Sequence, residues 1–293
     1  MSHLVEIDYS KFNIYEEQAI NKFAYPLLLT LPHSGQIFPE EFLKMTNLPL
    51  EELRGNEDLY MDELLSPLAK EGIATLKMNV ARVFIDANRD KIELDEKMYF
   101  DYPADKIIFE NSKCRSGYGL IHRVTSSGKN VYKELISYNE VQKRVKNVYD
   151  VYHKRLNALI SKCVQKFGFC VVLDCHSMPS KICSIFDDNK TIDICLGDLF
   201  LQSCPIEVSN ILKDTLASAG YEVLKNVPYS GAYTTFNYCQ PRKRIYTLQM
   251  EINRALYADE STLKKNHMFD KLQKDICSGV LNFAQALKNC DCL

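Results

Sequence analysis

The run Phe169-Cys170-Val171-Val172-Leu173 is apolar and rich in β-branched residues, and it breaks off in Asp174-Cys175-His176-Ser177-Met178-Pro179. Such a run reads as a buried strand that delivers a histidine at its carboxyl edge. In open α/β sheets, ligands bind in the crevice beyond the carboxyl ends of the strands, so His176 is placed for chemistry. An earlier run, Pro26 to Leu31, ends in Pro32-His33-Ser34-Gly35, where glycine permits a sharp exit. Two strand-end histidines, each followed by serine, suggest one shared site.

Strand-like runs alternate with helical patterns along the rest of the chain, which indicates an α/β fold. Further strands are expected over residues 73–80, 82–86, 191–196, 221–224 and 244–252. The clearest helix opens with a capping box, Ser137 and Glu140. Its buried stripe then runs through Val141, Val145, Val148, Tyr152, Leu156, Leu159 and Cys163 to Gly168. Other helices are expected over 205–219, with Gly220 as the stop, and over much of 263–287. A short helix with Met61, Leu64, Leu65 and Leu68 on its buried face follows Asp58. Residues from the Asp-rich 90s to Tyr132 lack periodicity and read as long loops of the kind that build substrate sites.

Composition narrows the function classes. A formal net charge of −2, with acids and bases interspersed, provides no basic field for nucleic acid. No apolar segment approaches a membrane span, so no membrane role is expected. Eleven cysteines without a Cys-x-x-Cys pair resemble neither a secreted disulfide framework nor a zinc ribbon, which favours a reducing cytoplasm. The acidic start, Met1 to Asp8, does not read as a signal peptide, and the aspartate in Cys290-Asp291-Cys292-Leu293 spoils a prenylation box. At 293 residues, 46% of them hydrophobic, the chain can form one large α/β domain or two ordinary ones.

His33, His176 and an acid from Glu57 or Asp58 make up two imidazoles and a carboxylate. That is a catalytic zinc set with one position open for water. Iron or manganese suits the same donors. Glu251 lies in the apolar stretch Thr247 to Ile252, where a carboxylate is costly unless paired or used, and it is the candidate general base. The stretch Arg82 to Arg89 begins and ends with a guanidinium. Arg82 and Arg89, with Arg123, suit an anionic acyl-amino acid.

These residues resemble the N-formylglutamate amidohydrolases, related in fold to zinc carboxypeptidases and aspartoacylases. The likeness rests on Leu31 to Gly35, Asp58 to Asp62, Arg82 to Arg89, Asp174 to Pro179, Asp193 to Asp198, Asn226 to Gly231 and Gln249 to Tyr257, in order from about residue 25 to 260. The resemblance implies a single catalytic domain over residues 1–293, with three α/β/α layers around a central mixed, mostly parallel sheet. It implies zinc-dependent hydrolysis of N-formyl-L-glutamate to formate and glutamate, a reaction of histidine degradation. His33, Asp58 and His176 would hold the metal, with Glu57 the alternative third ligand. Glu251 would be the base, and Arg82, Asn88, Arg89, Arg123 and Tyr229 would bind substrate. Where the family usually has Pro-Tyr-x-Gly-Gly-Tyr, this chain has Ala232, which puts the acyl preference in doubt. The oligomeric state is not implied. A carboxypeptidase-like or other N-acyl-amino-acid hydrolase is the alternative within enzymes, and a noncatalytic metabolite-binding protein is the alternative outside them.

Neighbouring residues carry plainer readings. His153 reads as a partly exposed helical residue, and His122 beside Arg123 as a possible substrate contact. Asp174 either orients a ligand or satisfies backbone groups. Cys175 and His176 point to opposite faces of a strand, so a cysteine nucleophile does not fit. Gly117-Tyr118-Gly119 lacks the third glycine of a dinucleotide loop.

Overall fold

In the computed structural model, which describes residues 6–105, 111–183 and 191–290, the run from Cys170 is a nine-residue strand, β4 (Cys170–Met178), buried along its whole length. The first five and last three residues lie outside the described residues, and with them parts of the amino-terminal and prenylation-box readings. Around β4 stand β1 (Tyr15–Gln18), β2 (Leu27–Leu31), β3 (Ala74–Met78), β5 (Ile194–Gly197), β6 (Val223–Lys225) and β7 (Ile245–Asn253), in the sheet order β1-β3-β2-β4-β7-β5-β6. β3, β2, β4 and β7 pair in parallel, β5 runs antiparallel to β7, and β6 is parallel to β5. The sheet is mixed and mostly parallel, with helices on both faces, as expected. The polar strand β1 has no apolar run to announce it.

Strand alternation explains the packing. Leu27, Leu29 and Leu31 of β2, Val171, Leu173 and Cys175 of β4, and Leu248, Met250 and Ile252 of β7 form one row of faces. They pack with Met61, Leu64 and Leu65 of helix Met61–Leu65, Val208, Leu212 and Leu216 of helix Ile206–Ser218, and Ile276, Val280 and Phe283 of helix Phe269–Leu287. The alternate residues of the same strands face the other way. Cys170 meets Cys163 of helix Asp150–Phe167 there.

The chain divides into two compact units. One comprises Glu17–Leu31, Asp58–Lys77 and Leu156–Leu293, and carries β2 and β4 to β7. The other comprises Met1–Glu16, Pro32–Glu57 and Met78–Arg155. Its centre is Arg144, fully buried, whose guanidinium lies 4.0 Å from the Phe84 ring centroid and donates to Tyr132 Oη at 2.7 Å and Phe84 O at 3.1 Å. Much of the remainder is irregular backbone, with the short helix Ser112–Arg115 and the 3-10 turn Glu96–Met98. No helix among the described residues is long and apolar enough to cross a membrane.

Three expectations need correction. Residues 82–86 are not a strand: Phe84 and Ile85 donate backbone N–H groups to Ala81 O, and Arg82 Nη2 reaches Asp86 Oδ2 at 2.8 Å. Amide hydrogens three and four residues on, both donating to one carbonyl, curl the segment into a compact turn, and the ion pair accompanies it. Burial of Val83, Phe84 and Ile85 comes from tertiary packing, which an apolar run cannot distinguish from a strand. Second, the long helix is Tyr138–Arg144 and Asp150–Phe167 joined by a π-helical turn, Val145–Tyr149. Its cap is half of a capping box: Ser137 Oγ accepts from Glu140 N at 3.4 Å, while the Glu140 carboxylate accepts from Tyr9 and Arg144. Third, His153 is buried, with Nε2 3.0 Å from Ala87 O.

Candidate metal centre

The face of the sheet opposite the apolar row of β2, β4 and β7 turns polar at its carboxyl end. Thr30 is the register partner of Asp174, Asp174 of Gln249, and His176 of Glu251. All five side chains are buried, so each polar atom needs a partner. Thr30 Oγ1 donates to Asp174 Oδ1 at 2.7 Å, and Asp174 Oδ2 lies 2.8 Å from His176 Nε2. Gln249 Nε2 donates to Glu251 Oε1 at 2.9 Å.

His176 Nδ1 lies 2.9 Å from Asp58 Oδ2. Asp58 lies three residues before Met61, the first residue of helix Met61–Leu65, and Tyr60, with φ of 56°, turns the chain into that helix. Tyr257 Oη donates to Leu59 O at 2.8 Å and holds the segment, while Arg254 Nη2 stands 3.8 Å from Asp58 Oδ1. The Glu57 carboxylate accepts from Arg54 Nε and Nη2 at 3.2 Å. Burial disfavours the imidazolium of His176, but Asp174, Asp58 and Glu251 outweigh it and hold its pKa well above the usual histidine value.

His33 lies two residues past β2. Gly35 follows, and a Cβ there would stand 2.4 Å from Val80 O, so close approach of two backbones, not a left-handed turn, demands the glycine. His33 Nε2 is 2.7 Å from Asp86 Oδ1. Asp86 is fully buried and also accepts from Asn88 N at 2.8 Å and Arg82 Nη2 at 2.8 Å, with His122 Nε2 at 3.1 Å. Burial opposes its charge, yet Arg82, His33 and Arg89 hold the carboxyl well below the usual range.

Ligand atoms of His33, Asp58 and His176 all lie within 4.8 Å of one another. Two imidazoles and a carboxylate suit a borderline divalent cation. Each imidazole has an aspartate on Nε2, Asp86 for His33 and Asp174 for His176, which is the arrangement that orients metal-ligating histidines through Nδ1. The donors present therefore fit a transition metal.

The family model for N-formylglutamate amidohydrolase matches residues 25–258. The chain belongs to this family. N-formylglutamate deformylase from Pseudomonas aeruginosa is 25% identical over 241 residues, covering 80% of this chain and 83% of that one. The Pseudomonas putida deformylase is 26% identical over the same shares. A crystal structure of N-formylglutamate amidohydrolase from Ralstonia eutropha JMP134 superposes with a TM-score of 0.88 at 30% identity, covering 95% of this chain and 99% of that one. A gene product of Agrobacterium tumefaciens shares the fold, with a TM-score of 0.65 at 14% identity and coverage of 94% and 96%.

The other residues expected of an N-formylglutamate amidohydrolase are distributed as follows. Arg82 and Asn88 stand on Asp86. Arg89 donates to Tyr118 O at 2.8 Å and Asn88 O at 2.9 Å. Arg123 donates to Asp95 at 2.8 Å. Tyr229 packs on a small cluster of Met178, Cys183, Ile192 and Cys195, and its carbonyl accepts from Cys195 Sγ at 3.1 Å. Cys195 is the register partner of Glu251. Ala232, the departure from the family pattern, has φ of −131°, so its methyl imposes no backbone strain, whereas Gly231 at φ of 135° needs glycine. Sequence reasoning missed Thr30, Gln249 and Arg254 as neighbours of the site. The first two carried a signal, a polar residue inside a buried strand.

Proposed function

We propose that the protein hydrolyses N-formyl-L-glutamate to formate and L-glutamate, with zinc held by His33, Asp58 and His176. The observation that carries this reading is the buried cluster of those three ligands, with Glu251 on the adjacent strand in register with His176. The names of the family and of its Pseudomonas and Ralstonia members supply the substrate class.

A zinc ion held by His33, Asp58 and His176 would supply Lewis acidity toward the amide carbonyl and toward the attacking water. Glu251 takes the proton of the attacking water on its carboxylate and passes it to the departing nitrogen. Gln249 holds one Glu251 oxygen and so orients the carboxylate for that exchange. Asp86 and Asp174 hold the two imidazoles in place. Arg82, with Asn88, Arg89, Arg123 and Tyr229, binds the substrate and its carboxylates, and a guanidinium reads a carboxylate in two parallel hydrogen bonds. The reading keeps residues 1–293 as one catalytic domain. A cytoplasmic setting suits the free thiols of buried Cys163, Cys170 and Cys175.

Formate release from N-formyl-L-glutamate is the test, run after chelation and again with zinc restored. Zinc-dependent release is expected, with N-formyl-L-glutamine cleaved more slowly because it lacks the distal carboxylate. Zinc binding without release from any N-formyl or N-acetyl acidic amino acid would overturn the reading and leave a metabolite-binding protein.

A further inference from the structure

We propose that His122 is a positioning residue for His33: as a neutral hydrogen-bond donor it fixes the Asp86 carboxylate, which in turn fixes the ring nitrogen His33 presents to the metal. The proposal rests on the reading of His33 as a ligand. It follows from donor and acceptor roles that can be assigned one after another from the backbone.

Ser126 N lies 2.7 Å from one end of the Asn56 side-chain amide. A backbone N–H can only donate, so that end is Oδ1, and the other end, 2.9 Å from His122 Nδ1, is the Nδ2 group. Nδ2 has only protons to offer. His122 Nδ1 therefore accepts and carries no hydrogen, and its single ring proton is on Nε2, 3.1 Å from Asp86 Oδ2. Obligate donors already point at both Asp86 oxygens, Asn88 N at Oδ1 and Arg82 Nη2 at Oδ2, so both oxygens act as acceptors and Oδ1 accepts from His33 Nε2 at 2.7 Å. That sets the proton of His33 on Nε2 and leaves Nδ1 as the donor atom for a cation.

Asn56 keeps His122 from becoming a cation, because an imidazolium needs an acceptor at Nδ1. Burial acts in the same direction and pushes the imidazole down to about 4. The consequence is chemical: an imidazolium at this position would share the Asp86 charge, weakening its grip on His33, whereas the neutral ring anchors Oδ2 without competing. His122, Asn56 and Asp86 are all buried, so the chain of hydrogen bonds is shielded from water.

Nitrogen-detected NMR of the metal-free protein reads the tautomer directly and needs no variant. The expected result is an unprotonated Nδ1 and a protonated Nε2 on His122 at neutral pH; a proton on Nδ1 would overturn the proposal. Chelator competition then gives the zinc dissociation constant. His122→Phe should weaken zinc binding by about tenfold or more. His122→Gln, whose amide offers both a donor and an acceptor, should recover most of the affinity. Asn56→Asp, which replaces the donor facing His122 with an acceptor, should place a proton on His122 Nδ1 and lower zinc affinity. A folded His122→Phe protein with wild-type zinc affinity would overturn this role, provided that His33→Ala weakens binding. Undiminished zinc binding in His33→Ala would instead overturn the metal reading itself, and this role with it.

Discussion

His176 of β4 and Glu251 of β7 are register partners in a parallel pair, on the same face of the sheet. Their Cα atoms stand roughly 5 Å apart across adjacent strands. Two side chains held in register on neighbouring strands of a buried sheet keep their separation without any loop to set it. Glu251→Gln keeps the shape and the hydrogen-bonding capacity toward Gln249 but cannot take a proton. Turnover should fall by about 10²- to 10⁴-fold with zinc content unchanged, as measured by formate release alongside metal analysis. Full turnover in this variant would remove Glu251 as base.

The environment of His176 predicts opposite pH trends with and without metal. Its pKa is raised in the folded metal-free protein, so it contributes stability that is fully present below the unfolded value of about 6.5 and is lost as pH rises through the folded value. Zinc requires the neutral ring, so zinc affinity rises over the same window. The Tm difference between zinc-loaded and metal-free protein should therefore widen with increasing pH above neutrality. A difference that stays constant across that window would contradict the assignment of His176 as a ligand.

Asp86 concentrates several demands on one carboxylate. Asp86→Ala leaves Arg82 and two imidazoles facing a buried gap, and loss of one partner from a buried charged pair costs about 3–5 kcal/mol. Denaturant unfolding of the metal-free protein should show a loss of this size. Because the folded pKa of Asp86 is depressed, its contribution is present above the unfolded value and should disappear as the pH falls through the folded one.

Gly35 ties the loop after β2 to the backbone at Asn79 and Val80. In Gly35→Ala the new methyl meets main-chain atoms that cannot rotate away, so the loop must shift. A destabilisation of about 1–3 kcal/mol is expected, together with weaker zinc binding, since His33 lies two residues upstream. Equilibrium unfolding with and without zinc separates the two effects.

The sequence by itself determined the sheet strands β2 to β7 to within a few residues, because buried strands must be continuous apolar runs and their polar ends stand out against them. It determined the helix Ile206–Ser218 through its periodicity and the stop at Gly220. It also drew attention to His33, His176 and Glu251, since an ionisable residue in or at the end of an apolar run carries a desolvation cost that calls for a use, while the acid beside them stayed open between Glu57 and Asp58 until the family resemblance favoured Asp58. Local patterns do not encode which partners meet those residues. That Asp86 binds His33, that Asp58 turns to His176, and that Arg82 to Asp86 is a turn were decided by tertiary contacts, whereas Asp174 shares a strand face with His176 and Glu57 meets Arg54 three residues back. Val83, Phe84 and Ile85 are apolar in either conformation, and only the packing around them distinguishes the two. Asn56 and His122 had no periodicity to mark them, because a hydrogen bond spanning 66 positions depends on where the chain returns in space.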